Sequence, residues 1–405
     1  LSQSIFQSGC AKGLSEVTKQ QKKRGVKNAG IARPVMDTRE NANLDFLRSF
    51  AVLCVVFGHL THFFNVDHIG SIRLIGLGIL GVRIFFVHTA LVLMLSLERE
   101  AARSRILFVP FMMRRCFRIY PLAMTIILIT AGFHIPQAAL SPGHFTGWNF
   151  DGGDLLANVF LVQDLSFRVP ILGPTWSLSY ELQMYLLLPV IFLILRKARS
   201  LWRLAGFLAL LLACSFEVVK YSTTPNVAFY VPCFLAGIVA YQLRTYDSYK
   251  VPAYFWPAFV TGISAAFLSS ALTRMDTLCA CFLFGLAIPA FTSLSSGWVT
   301  TPSKVIAKYS YGIYLTHFFA IWFAFEKLSA VPLLPRMLVF LTLAISLPVL
   351  VYHLVEEPMV RAGKKIAQLY IGIRQSGSRK GMGFTAGLVS VPRAALDPAV
   401  VAEVL

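Results

Sequence analysis

Ten stretches of this chain are apolar over enough residues, or nearly enough, to cross a bilayer. They lie at roughly 44 to 66, 74 to 97, 117 to 134, 176 to 195, 204 to 222, 227 to 245, 253 to 271, 277 to 294, 309 to 327 and 335 to 354. A helix needs about 20 apolar residues to span the hydrocarbon layer. So many runs in 405 residues leave one fold class, an all-α integral membrane bundle of about ten transmembrane helices. A composition 56% hydrophobic and 14% charged, with mean hydropathy +0.66, agrees. The expected domains are a basic disordered tail over 1–43, a membrane domain over 44–362 and a mostly disordered tail over 363–405.

The formal net charge of +18 invites a nucleic-acid reading, but the basic residues sit in gaps between apolar runs and in both tails. That is the signature of cytoplasmic loops, so the expected partner is the lipid bilayer and no nucleic acid. Threading the runs alternately puts fourteen Lys and Arg in the even gaps, among them Arg99, Arg114, Arg115 and Arg118, against six in the odd gaps. Both termini are therefore expected in the cytoplasm. The seven cysteines lie mostly inside apolar runs with no metal spacing and read as small core residues.

Ionisable side chains inside such runs are costly and mark functional sites by default. The first run, LRSFAVLCVVFGHL, carries Arg48 and His59. Eleven residues is about three helical turns, so both face one side, roughly 16 Å apart along the axis. In the bland alternative, Arg48 pairs with Asp45 and His59 is a hydrogen-bonded core residue. A second constellation, TWSLSYELQMYLLLP, brings Trp176, Glu181 and Tyr185 to the start of a span. Its carboxylate is expected at the depth of His59, where it can orient the imidazole, or else it neutralises Arg83. In FMMRRCFRIYPL, Arg115 and Arg118 stand where guanidinium groups suit phosphate oxygens, although anchoring to anionic lipid explains Arg115 as well. Tyr314 and His317 in YGIYLTHFF either line the same cavity or form a structural pair. His353, Glu356 and Glu357, ahead of Pro358, read as a structural cap ending the last span.

These stretches, together with GVRIFFV, YVPCFLAGIVA and VYHLVEEP, occur in an order that resembles the membrane-bound acyltransferase family 3 across about residues 41 to 362. The resemblance implies a bacterial multi-pass protein of the inner membrane. It implies transfer of an acyl group, often acetyl, from cytoplasmic acyl-CoA to a hydroxyl of a carbohydrate or other cell-envelope acceptor, with no permanently bound cofactor. Arg48 and His59 match the arginine and histidine regarded as essential in that family, and Arg118 and Glu181 match further functional positions. The chain departs from the family pattern at His88, Thr89 and Ala90, where Ser-Gly-Phe is usual, and at Leu182, where a second carboxylate is usual.

The expected mechanism places the phosphates of CoA on Arg48, Arg118 and Arg115 and delivers the thioester near His59, which acts as base or acyl carrier with Glu181 behind it. Trp176, Tyr185, Arg83, Tyr314 and His317 are the expected acceptor contacts. The rival reading is a multi-pass transporter or flippase whose polar groups bind and pass a substrate without covalent chemistry. Acceptor identity and oligomeric state are not legible.

Overall fold

The computed structural model describes residues 41–104, 106–135, 137–138, 145–146, 148–197, 201–222, 226–244 and 250–381. The expected tails, up to residue 40 and beyond 381, lie outside the described residues, as do Arg105 and Arg199 of the charge count.

In chain order the helices are α1 Ala42–Phe63, α2 Gly76–Arg103, α3 Phe108–Gly132, α4 Gly152–Val159, α5 Thr175–Lys197, α6 Leu201–Tyr221, α7 Val231–Leu243, α8 Trp256–Ser269, α9 Arg274–Ala290, α10 Gly297–Ile321, α11 Leu333–Val351 and α12 Glu357–Gly381. Two short antiparallel hairpins pair β1 His68–Ile69 with β2 Ile72–Arg73, and β3 Gln137–Ala138 with β4 Phe145–Thr146. Among the described residues, five helical segments are long and apolar enough to cross a membrane: α1, α2, α3, α5 and the α11–α12 pair. The ten-span expectation is thus carried in part. The runs near 227, 253 and 277 form helices of 13, 14 and 17 residues, short of a full crossing. α12 continues to Gly381, past residue 362, where the sequence pattern places the start of a tail.

Outward-facing surfaces are apolar as well as the core. Leu338, Leu341, Ile345, Leu350 and Leu354 are all exposed along α11 and the turn after it. A face of that kind is stable against lipid and unstable against water. The same surface explains the cysteines: Cys54, Cys233 and Cys281 are buried, but Cys214 and Cys279 are exposed, correcting the expectation of a uniformly core set.

Local chemistry fixes α1. Asn41 caps it, its side chain accepting from the Asn43 and Leu44 amides, and Asp45 stands in the first turn where the helix dipole favours an anion. Asn43 then ties the capped end to the bundle: Nδ2 donates to the Thr292 carbonyl at 2.8 Å and Oδ1 accepts the Leu294 amide at 2.9 Å. Leu44, Leu47, Ala51, Val52 and Val55 bury the other face.

α1 packs chiefly on α2 and α10. Small residues set the spacing on one side: a Cβ on Gly81 would lie 2.5 Å from the Ala51 carbonyl oxygen, and one on Gly237 would lie 2.3 Å from that of Val87. These two contacts bring α1, α2 and α7 to near-backbone distance. On the other side Ser49 Oγ donates to the Ser303 carbonyl at 2.6 Å, and the Phe63 and Phe325 rings meet at 5.8 Å, so α1 and α10 run side by side in one direction. α10 and α11 each pass into a π-helical turn, Trp322–Lys327 and Tyr352–Glu356.

Candidate functional site

A cavity of about 600 Å³ opens between α1, α2, α3, α5 and α10. Its polar lining is Arg48, Thr89, Arg118, Ser177, Glu181, Tyr185, Ser310, Tyr311 and Tyr314, set among Val82, Phe85 and Phe86.

The first element of the site is its positive charge. Arg48 Nε donates to Ser310 Oγ at 2.6 Å, and Ser310 in turn donates to the Ala307 carbonyl, which holds the guanidinium against α10. Arg118 projects from α3 one turn beyond Arg114 and Arg115. Among the described residues neither Arg48 nor Arg118 has a carboxylate within ion-pair distance, and the charges of the two arginines act on each other. Arg114 instead pairs with Glu100, and Arg115 lies over the rings of Phe111 and Tyr185 at 5.6 and 5.9 Å. The alternative pairing of Arg48 with Asp45 is not formed; the two act on each other only through their charges.

Carboxylates stand behind this charge. Glu181 Oε1 accepts the Tyr185 hydroxyl and its field reaches Arg48 and Arg115. Glu356 is 3% exposed, one of its oxygens lacks a hydrogen-bond partner, and its field also reaches Arg48 and Arg118. The π turn Tyr352–Glu356 presents it, a type of helix irregularity that clusters at functional sites. The sequence pattern suggests only a cap here; the doubled Glu ahead of Pro358 is the available signal, and only the first of the two turns inward. Ser310 and Tyr311 are further wall residues that sequence reasoning misses, because a lone hydroxyl in a span carries no strong pattern.

The second element is a histidine pair. His59 does not line the cavity; its ring lies 5.3 Å from that of His317 and 4.5 Å from that of Phe318. His317 is 1% exposed. Tyr314, one turn earlier on α10, lies on the cavity wall with its ring 6.1 Å from that of His317, so the pair sits directly behind the wall. Tyr314 Oη is fixed by Ser177 Oγ at 2.7 Å and by the Pro174 carbonyl at 2.9 Å.

The structure therefore gathers Arg48, Arg118, Glu181, Tyr185 and Tyr314 on one cavity, with Arg115 beside them and His59 and His317 adjoining. It does not bring Glu181 to His59. The expected equal depth of Glu181 and His59 is not realised: Ser177 meets Tyr314, and Glu181, one turn further along α5, stands at the arginine end. Arg83 and Trp176 also stand apart from the cavity: Arg83 packs 5.5 Å over Phe267, and Trp176 meets Tyr180 edge-on and Tyr230 at a tilt. Nor does Arg83 form an ion pair with Glu181.

A protein-family model described as an acyltransferase domain matches residues 41–353. The chain is 26% identical over 316 residues to the acyltransferase MdmB of Streptomyces mycarofaciens, covering 69% of this chain and 78% of that one. It is 26% identical over 317 residues to nodulation protein 10 of Rhizobium leguminosarum bv. viciae, covering 68% of this chain and 81% of that one. No solved structure matches it.

Proposed function

Since the chain belongs to the acyltransferase family whose domain covers residues 41–353, we propose that it is a membrane-bound O-acyltransferase using acyl-CoA, acetyl-CoA in the first instance, as donor. The acceptor is a hydroxyl of a carbohydrate or another cell-envelope molecule. One observation carries the donor assignment: two guanidinium groups, Arg48 and Arg118, face a single cavity without a carboxylate in ion-pair range among the described residues. Two guanidinium groups on one cavity wall, neither held in an ion pair, favour a ligand with phosphate oxygens.

In this reading the arginine end of α1 opens to the cytoplasm of a bacterial inner membrane. The phosphates of the donor rest on Arg48 and Arg118, and the pantetheine arm runs along the polar stripe of α1 toward Tyr314. His59 lies eleven residues from Arg48, roughly 16 Å of helix rise, which is of the order an extended arm covers. There His59 takes the proton of the acceptor hydroxyl, and the oxygen attacks the thioester carbonyl. The carbon–sulfur bond then breaks, and the CoA thiolate leaves and is protonated. Glu356 and Glu181 hold the arginine charge in balance while the site is empty.

The test is thermal stability of the purified protein with acetyl-CoA and with CoA, for wild type, Arg48→Ala and His59→Ala. Stabilisation of wild type and His59→Ala but not of Arg48→Ala supports a donor site at the arginine end. No stabilisation of folded wild type by several acyl-CoAs would remove the donor assignment and favour transport without covalent chemistry.

A further inference from the structure

His59 needs a partner that fixes which of its nitrogens carries a proton. A base that must take a proton from a hydroxyl has to present a lone pair, and the hydrogen bond made by its other nitrogen decides that. The carboxylate expected in that role, Glu181, is bonded to Tyr185 instead.

We propose that His317 is the positioning residue for His59, accepting its ring N–H and so leaving the other nitrogen of His59 free to act as base. The proposal rests on the reading of His59 as that base. Three observations on α10 carry it. His317 Nδ1 lies 3.2 Å from the Ile313 carbonyl, and a carbonyl can only accept, so Nδ1 holds the proton. Nε2 of the same ring is consequently a lone pair, and it is buried without any hydrogen-bond partner. The His59 ring stands 5.3 Å away, tilted by 32°; no bond joins the two rings in this structure, and that separation is short enough for an N–H···N bond to close once the rings turn into line.

The rest of the pocket fits the same direction of proton order. Phe318 walls both rings, at 4.5 Å from His59 and 4.7 Å from His317, and so shields the space between them. A Cβ on Gly78 would stand 3.8 Å from His59 Nε2, an ordinary contact, so the absent side chain leaves a methyl-sized space beside that nitrogen. The order is then Ile313 carbonyl, His317 Nδ1–H, His317 Nε2, His59 Nδ1–H, His59 Nε2, acceptor O–H. As the hydroxyl proton moves to His59 Nε2, the imidazolium charge is shared with His317, and no proton leaves the pair until the thiolate takes it. A neutral imidazole in this role avoids burying a carboxylate at the same depth.

Two measurements on the full-length protein in detergent test this. The first is nitrogen-15 spectroscopy of histidine rings, with His59 identified by its loss in His59→Gln. The expected result is a proton on Nδ1 of both His59 and His317, with the His59 ring shifts altered in His317→Leu and partly restored in His317→Gln. Unaltered His59 shifts in His317→Leu, or a proton on His317 Nε2, would overturn the proposal. The second is thiol release from acetyl-CoA with methyl glucoside and glycerol as hydroxyl acceptors. His317→Leu is expected to lower kcat about 100-fold, leave KM for acetyl-CoA and the stabilisation by CoA unchanged, and recover part of its rate as His317→Gln. A drop matched by lost stabilisation by CoA would mean a merely structural role and sink the proposal. Silence of wild type in the second experiment would count against the acyltransferase reading, while the nitrogen-15 shifts would still decide whether His317 accepts the His59 ring proton.

Discussion

The two ends of α1 solve opposite problems with the same neighbour. At the Arg48 end, charge is abundant: Arg118, Glu181 and Glu356 all act on Arg48, and α10 contributes the small hydroxyl of Ser310. At the His59 end no carboxylate is in contact among the described residues, and α10 contributes His317 and Phe318. One end gathers charge around a cavity, the other packs two imidazoles against an aromatic ring. Under the proposed function binding and chemistry are separated along a single helix, and a substitution at one end should leave the readout of the other untouched.

That separation can be broken in several ways. The largest effect is expected from His59→Gln, which should cut the transfer rate by about 10²- to 10⁴-fold while leaving stabilisation by CoA intact; loss of both together would mean the ends are not independent. Arg118→Ala should weaken acetyl-CoA binding by about 10- to 100-fold, as expected for one charge-assisted contact, with kcat at saturation nearly preserved. Titration by thermal shift measures the binding and steady-state thiol release the rate. Glu356→Gln sharpens the comparison from the opposite direction. Removing a competing negative charge should tighten CoA binding several-fold, and weaker binding would show that the carboxylate orients the arginines instead of competing for them. Tyr314→Phe, at the junction of the two ends, removes one hydroxyl shared with Ser177 and the Pro174 carbonyl and should cost about 1 kcal/mol of stability in chemical denaturation.

A control lies outside both ends. Asp151 and Asp154 form a capping box on α4, and the Asp154 amide, then Arg168, holds the Asp151 carboxyl below the usual carboxylate range. Its contribution is present above pH 3.8 and is lost only as pH falls through the lower folded value. Asp151→Asn should therefore change neither donor binding nor transfer at neutral pH.

The periodicity of α1 makes Arg48 and His59 legible as one stripe, because spacing in a helix fixes relative direction. Arg118, Glu181, Tyr185 and Tyr314 are legible for a weaker reason, that polar groups in apolar runs turn inward. What sequence cannot supply is the axial register between helices: nothing in TWSLSYELQ says whether Glu181 comes level with His59 or with the arginines. The place of Glu356 is hidden for a related reason. A π turn adds a residue to the local period, so a pattern read at 3.6 residues per turn points the wrong way there. Helix count is carried only in part because some apolar runs form helices below the usual crossing length, as at 253 to 271, where the helical stretch is Ala253–Ser269.

The near-backbone contacts at Gly81 and Gly237 carry a consequence for motion. Helices joined at that distance have no side-chain layer in which to slide, so α1, α2 and α7 behave as one wall. A machine with a wall of that kind across its middle has little room for the rocking by which carriers expose a cargo first to one side and then to the other. Under the proposed function, traffic falls to the thin flexible donor arm threading past Tyr314, and directionality comes from where each reactant can reach.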